Sequence, residues 1–485
     1  MPFNSHVYLL IFLPITVIVY LFLVKRGHAQ ISKAWLVLAS LFFYSWSNPV
    51  HLSLLFASVF FNFLFAVALL KTDGNVPTRK KTVFIIAVIA NIVFLGYFKY
   101  AGFCITNINL LLHTHYSIED LVFPLAVSFF TFTQIAYLAD TYRGTVKTVT
   151  LLDYSLFVTF FPYLLSGPIV RHREIMPQIE ESVQNRRINY RNLSLGLFLL
   201  SIGLLKKVFI ADQFAEWATA AFDVPVSLNF LYAWAASLSY TFQIYFDFSG
   251  YTDMAIGAGL MFNIRIPINF NSPYKALDIQ DFWRRWHITL SRFLRDYIYI
   301  PLGGNRVREG RILSNLMITF LIGGVWHGAG WTFVFWGFLH GLATVTHRLW
   351  KKLNIKLPKA VAWFLTFNFV NVAWVFFRAR TWDDATRVLS GMFGLNGLTL
   401  PEKWSGTLRF LNNHVLFSPW KRIMPESRDA YLWILCAFIG CLLLKNSNEM
   451  AEKFKSDWRL IFAAAATVYS VLHLFRAQEF FYFNF

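Results

Sequence analysis

The sequence predicts an all-α integral membrane protein. Three observations predict it: an apolar and aromatic composition, a series of long uncharged runs, and basic residues gathered in alternate loops between those runs. Of 485 residues, 56% are hydrophobic, 19% aromatic and 14% charged, which leaves too little polar side chain to clothe a water-facing surface of that size. A helix needs about 20 mainly apolar residues to cross a hydrocarbon core of roughly 30 Å. Residues 7–24 (VYLLIFLPITVIVYLFLV) form the first such run, and others lie near 34–47, 50–70, 82–98, 119–138, 154–166, 192–210, 313–347, 360–377, 430–444 and 460–475. Together they predict about ten or eleven spans. The first run has no basic stretch before it and no small-residue cleavage site after it, so it reads as a retained span and not as a signal peptide.

A formal net charge of +18 would point a soluble chain toward nucleic acid. Here the basic residues sit in short loops, where they report orientation, and no nucleic-acid partner is expected. Lys25, Arg26 and Lys33, then Lys71, Arg79, Lys80 and Lys81, then Arg143 and Lys147 occupy alternate loops, whereas the intervening loops carry little beyond Lys99. The N-terminus is therefore predicted to face outward. Lys351, Lys352, Lys356 and Lys359, like Lys453, Lys455 and Arg459, fall on the cytoplasmic side, which makes the segment 378–429 and the C-terminal FFYFNF extracytoplasmic. Cys104, Cys436 and Cys441 are too few and too scattered for a disulfide framework or a zinc site, and read as packing residues.

No repeat, low-complexity tract or linker divides the chain, so residues 1–485 read as a single polytopic membrane domain. Its N-terminal third is a succession of plain hydrophobic helices. From 240 to 311 the character changes, with aromatics mixed among charges and turn residues, as in YFDFSGYTDMAIG and DFWRRWHITLSRFLRDY. Polar or irregular backbone at membrane depth is tolerated only where protein or a water-filled cavity surrounds it. This stretch is therefore expected to line an internal cavity or to form short interfacial helices. With the following FLIGGVWHGAGWTFVFWGFLHG (320–341), it makes 240–341 the expected catalytic core.

His327, in VWHGAGW, has Trp326 before it, Gly328 and Gly330 after it, and no charge beside it. An ionisable group in such surroundings is costly and marks a functional site unless it merely bonds a carbonyl between helices. Flanking glycines let a substrate or another backbone come close. With an unperturbed pKa of about 6.5, a neutral imidazole can take a hydroxyl proton near neutral pH.

His287 stands among Asp281, Arg284, Arg285, Arg292, Arg295 and Asp296. A charged interfacial helix accounts for the arginines, and in a continuous helix Trp283 and Arg284 would share the face of His287. Asp247 and Asp253 are carboxylates in an apolar segment, either bonding helices together or orienting a histidine or arginine. PLGGNR (301–306) makes a tight turn whose Asn305 and Arg306 could meet a phosphate, though a simple turn also fits. His113 and His115 read as solvent-exposed, and His340 and His347 as part of a span ending at the cytoplasm. The motifs GxSxG, HExxH and the P-loop are absent.

These segments resemble the membrane-bound O-acyltransferase family. The likeness is carried by PLAVSFFTFTQIAYLADTYRG (124–144), FFPYLLSGPIVRHREI (160–175), GLLKKVFIAD (203–212), YTFQIYFDFSGYTDMAIG (240–257), NFNSPYKALDIQDFWRRWHITLSRFLRDYIYIPLGGNR (269–306) and GGVWHGAGWTFVFWGFLHG (323–341). Within the family they resemble the bacterial branch that acetylates alginate or transfers D-alanine to teichoic acids, and the alginate type above all. The resemblance implies a multi-span fold whose funnels from the two sides meet at a histidine. His327 takes the family's characteristic position and His287 its second polar position.

It further implies a bacterial inner-membrane enzyme with no bound cofactor. The enzyme would take an acyl thioester such as acetyl-CoA from the cytoplasm and deliver the acyl group toward an extracytoplasmic polysaccharide or glycan, with extracytoplasmic acetyltransferase proteins as partners. His327 would deprotonate the acceptor, and Trp326, Trp283 or His287 would donate to the oxyanion. The polymer stays open among alginate, cellulose, peptidoglycan and others. A transporter or flippase, or a scaffold for an export complex, remains the alternative. The segment 378–429, which contains Trp404, Phe410, Val415, Leu416, Phe417 and Trp420, is expected to form short helices over the outer funnel and to dock the partner, or else simply to cover apolar surface.

Overall fold

A computed structural model describes residues 1–72, 77–117, 124–223, 227–408, 415–419, 429–455 and 457–474. Helices dominate. The first four are α1 (Leu13–Lys25, entered through a π-helical turn Tyr8–Phe12), α2 (Ala29–Ser45), α3 (Val50–Lys71) and α4 (Pro77–Leu112). Their outward faces carry large apolar side chains, among them Ile18 at 66% exposure and Val93 at 63%. Such surfaces would aggregate in water and suit lipid.

Among the described residues, five helices are long and apolar enough to cross a membrane: Tyr8–Lys25, Val50–Lys71, Pro77–Leu112, Tyr190–Phe222 and Lys359–Arg378. Several expected runs are divided. The run near 154–166 breaks into α6 (Leu151–Thr159) and α7 (Phe161–Leu164), and that at 313–347 into α14 (Glu309–His327) and α15 (Trp331–Lys352).

Along α4 the buried residues Ala87, Asn91 and Leu95 recur every fourth position, a stripe that continues to Lys99. Asn91 exchanges amide hydrogen bonds of 2.6 and 3.1 Å with Asn62 of α3, the kind of polar contact that fastens helices where water is absent.

After α5 (Val127–Tyr142), α8 (His172–Asn185), α9 (Tyr190–Leu205) and α10 (Asp212–Phe222), the chain enters α11 (Phe230–Met261). It is buried without interruption from Ser239 to Met261, as befits a central helix enclosed on every side. Pairs of glycines let α9 cross it closely: a Cβ on Gly196 would lie 2.6 Å from the Gly257 carbonyl oxygen, and one on Gly203 2.5 Å from that of Gly250. The expectation of irregular, cavity-lining backbone from residue 240 is thus corrected for 240–261, which are regular helix.

The helix can hold Asp247 and Asp253 because lysines from the π-helical turn Lys206–Ala211 neutralise them. Lys207 Nζ lies 2.9 Å from Asp247 and 2.8 Å from Asp212, and Lys206 Nζ 2.6 Å from Asp253. Past α11 the backbone does become irregular, with the short helices α12 (Ile279–Arg285) and α13 (Ile288–Leu294).

α16 (Lys359–Arg378) and α17 (Trp382–Met392) follow, and then the apolar helix Ala430–Leu443 and the helices Ser447–Glu452 and Trp458–His473. Between them the expectation of helices alone is corrected: Thr399–Pro401 and Leu416–Ser418 pair as two short parallel strands. Phe410 and Trp420, named above for this segment, lie outside the described residues, as does the C-terminal FFYFNF.

Candidate active site

His327 is the last residue of α14, and the chain reverses through Gly328–Gly330 into α15. The two helices meet through glycines: a Cβ on Gly324 would sit 2.5 Å from the Phe333 oxygen, and one on Gly337 2.6 Å from that of Phe320. Gly324 and Gly337 therefore serve close helix packing, while Gly328, where a Cβ would lie 2.2 Å from the Phe333 ring, leaves room for that side chain. At the other end of the hairpin Arg348 bonds Glu309 at 2.8 Å.

A helix that ends inside the protein leaves its last carbonyls without N–H partners. Those of α14 are met by two side chains of α4. The Tyr100 hydroxyl donates to the Val325 oxygen at 2.7 Å, and Lys99 Nζ donates to the oxygens of Trp326 at 2.6 Å and His327 at 3.2 Å. The His327 side chain points inward, with 3% exposure of the residue. Its ring centroid lies 5.1 Å from Trp336, 5.1 Å from Phe377 and 5.0 Å from Trp326.

His287 approaches from the other side. The expected continuous helix through it does not form: α12 stops at Arg285, Trp286 is extended, and His287 adopts a left-handed conformation, φ 42° and ψ 54°, before α13 begins. A non-glycine residue pays for that geometry with strain unless its surroundings fix it. Asn269 fixes it. Its Oδ1 accepts from the Thr289 N–H at 3.1 Å and hydroxyl at 2.9 Å, and its carbonyl accepts from the Ile288 N–H at 3.0 Å. Because the Thr289 N–H sets the amide orientation, the same Oδ1, 3.1 Å from His287 Nδ1, puts the proton on Nδ1 and leaves Nε2 as the acceptor nitrogen. The centroids of His287 and His327 are 6.3 Å apart, with Trp326 6.2 Å from His287.

A third histidine joins this cluster, one that the sequence reading had left in a plain span. His340 is fully buried, its ring 4.6 Å from that of Trp336 one helical turn earlier. Trp283, expected beside His287, instead donates its indole N–H to His340 Nδ1 at 3.2 Å. The i, i+4 spacing of Trp336 and His340 on an otherwise apolar helix is the signal that could have found it. The indole N–H groups of Trp326 and Trp336 are buried and have no hydrogen-bond partner among the described residues. Unmet donors of this kind are costly to bury and suit an anion formed during a reaction.

Other candidates lie elsewhere. Asp247 and Asp253 are held by Lys207 and Lys206, with Ser447 Oγ also donating to Asp253 at 2.9 Å. Asn305 is exposed at the far end of the α14–α15 hairpin and accepts from the Tyr299 hydroxyl at 2.7 Å. The Gly303 and Gly304 N–H groups are spent on the Ile300 and Tyr299 carbonyls, so the turn offers no amides from these two residues to a phosphate. His113 and His115 are exposed, and His347 lies 3.4 Å from Asp278. Among the described residues no group of three His, Cys, Asp or Glu side chains is placed to hold a metal ion.

Residues 144–381, which include all three clustered histidines and Asn269, match the membrane-bound O-acyltransferase family. Over its full length the chain is 46% identical to the peptidoglycan O-acetyltransferase of Helicobacter pylori, covering 97% of that protein. It is 38% identical to the probable alginate O-acetylase AlgI of Azotobacter vinelandii over 83% of this chain and 80% of that one. With the teichoic acid D-alanyltransferase of Streptococcus thermophilus it shares 29% identity over 53% of this chain and 69% of that one. Since the likeness runs through α14 and the buried end that carries His327, the chain belongs to the membrane-bound O-acyltransferase family and is a multi-pass membrane acyltransferase.

Proposed function

We propose that this enzyme takes an acyl group, acetyl in the simplest case, from a cytoplasmic thioester and passes it toward a glycan outside the bacterial cytoplasmic membrane, with His327 as the general base. The observation that carries the reading is the placement of His327 at a helix end inside the protein, between His287 and Trp336. The acceptor hydroxyl gives its proton to the imidazole as its oxygen attacks the thioester carbonyl. The tetrahedral oxyanion takes hydrogen bonds from the indole N–H groups of Trp326 and Trp336. Collapse expels the thiolate, which recovers the proton from the imidazolium, so ester and free thiol leave and the base is restored. A placed base contributes about 10²- to 10⁴-fold to such a step.

Peptidoglycan is the acceptor class favoured over alginate, because the relative matched end to end is a peptidoglycan acetylase and the alginate-type match is lower and shorter. The outer segment 378–429 would hand the group to an extracytoplasmic acetyltransferase partner. The test uses purified protein in liposomes supplied with acetyl thioester, with thiol release and acyl transfer measured together. Wild-type protein should release thiol and His327→Ala should not, at equal abundance and thermal stability. Movement of intact donor without thiol release would favour a transporter instead.

A further inference from the structure

Lys99 has no place in the chemistry so far. It lies in α4, outside the segment matched to the family, on the stripe whose buried members are Ala87, Asn91 and Leu95. We infer that Lys99 is a positioning residue for the transfer step, holding the end of α14 so that the His327 imidazole and the Trp326 indole stay aimed at the reacting atoms. The inference rests on the reading of His327 as the base.

Three features carry it. First, the backbone turns away from helix at Gly328, with φ −160° and ψ 154°, so the carbonyls of Val325, Trp326 and His327 lose their usual N–H partners where lipid and apolar side chains offer none. Lys99 takes two of the three, the two that belong to the residues lining the cluster.

Secondly, the ammonium has three N–H groups, and its third partner is the Ser128 hydroxyl at 3.2 Å. Ser128 begins the helix whose Phe129 and Phe132 pack on Trp326, at 5.3 and 5.0 Å between centroids. One side chain thus ties three helices at the point where the base emerges.

Thirdly, no carboxylate of the described residues lies within ion-pair distance of Lys99. A neutral hydroxyl suffices at the neighbouring carbonyl, where Tyr100 serves. An amine inside a membrane protein is costly and is retained where it has a task, and this one spends its hydrogen bonds on two helix-end carbonyls and a hydroxyl.

Lys99→Met preserves the length of the side chain and removes its donors. A misplacement of about 1 Å at a reacting group can cost on the order of 10²-fold in rate, so kcat should fall by roughly 10- to 100-fold, with KM for the thioester changed less than about twofold. Lys99→Arg keeps charge and donors with a different reach, and should fold as wild type and still lose part of kcat. Tyr100→Phe removes the cap at Val325 alone and serves as the comparison: it should lower thermal stability, with a smaller loss of kcat than Lys99→Met. Added to His327→Ala, Lys99→Met should cause no further loss, because both act on one group.

Wild-type kcat in both Lys99 variants would overturn the inference while leaving His327 as base. So would a loss seen only in KM, or a loss that follows thermal stability alike in Lys99→Met, Lys99→Arg and Tyr100→Phe. Activity surviving His327→Ala would instead remove the underlying reading. If Lys99→Met does not accumulate, Lys99→Arg and Lys99→Gln are read in the same way per folded molecule.

Discussion

The rings of His287 and His327 lie with centroids 6.3 Å apart and planes tilted by 57°, although forty positions separate them along the chain. One ring is supplied by the broken backbone between α12 and α13, the other by the buried end of α14. The two rings are neighbours in one buried cluster. Substituting either histidine should therefore affect turnover, and in different ways. His287→Ala should reduce thiol release strongly while the protein still accumulates in the membrane. Asn269→Ala should both loosen the ring and leave the buried Thr289 N–H unmet, at a cost of about 1–3 kcal/mol. Turnover per folded molecule, read beside thermal unfolding, separates the two effects. If even His287→Gln is absent from the membrane, His287 is a folding residue.

A second expectation concerns the hairpin that carries His327. At Gly324 an added methyl group would lie 2.5 Å from the Phe333 oxygen, and neither backbone can yield without parting α14 from α15. Gly324→Ala should destabilise the protein by about 1–3 kcal/mol, the usual cost of overpacking. It should also lower kcat, because His327 is three residues along the same helix. By contrast, Gly310→Ala meets open space at the start of α14 and should unfold at the wild-type temperature. Equal melting temperatures for both variants would show that the close approach at Gly324 has no energetic weight.

Much of this arrangement was legible in the residues, and the rest was hidden for physical reasons. Helix and membrane character follow from composition, and His327 from its isolation among apolar neighbours. His287 was singled out as a candidate and lies beside His327, but a local pattern of arginines and aromatics does not reveal the break between two helices at which it stands. Only the distant Asn269 amide makes the left-handed break at His287 affordable. Asp247 and Asp253 drew notice as buried carboxylates, yet their partners Lys206 and Lys207 come from another helix and cannot be assigned by spacing. His340 was set aside for the same reason, and Lys99 was placed in a loop although α4 continues through it to Leu112; each acquires meaning only from Trp283 or from the end of α14.

The proposed orientation can be checked apart from catalysis. In a cysteine-free background, Lys403→Cys should react with an impermeant thiol reagent added outside intact cells, and Arg79→Cys should react only after the membrane is opened. Both positions are exposed, so burial does not confuse the comparison. Labelling of residue 79 from outside, with residue 403 protected, would reverse the assignment drawn from basic loops.

The last prediction separates structural carboxylates from catalytic groups. Lys206 Nζ lies 2.6 Å from Asp253 Oδ2, with side-chain exposures of 14% and 6%, and Ser447 donates to the other carboxylate oxygen. Breaking one half of such a pair leaves a charge with poor solvation, and typical losses are about 3–5 kcal/mol. Lys206→Met should therefore sharply reduce the folded protein recovered from membranes. Replacing both partners removes both charges, so Lys206→Met with Asp253→Asn should recover much of that loss, the positive coupling expected of residues in contact. The recovered double variant should turn over at close to the wild-type rate per folded molecule, because the contacts of the pair join α11, the lysine turn after α9 and the helix Ser447–Glu452. A double variant that folds as well as wild type yet releases no thiol would return Asp253 to the reaction, and the ion pair would then have to be read as part of the site.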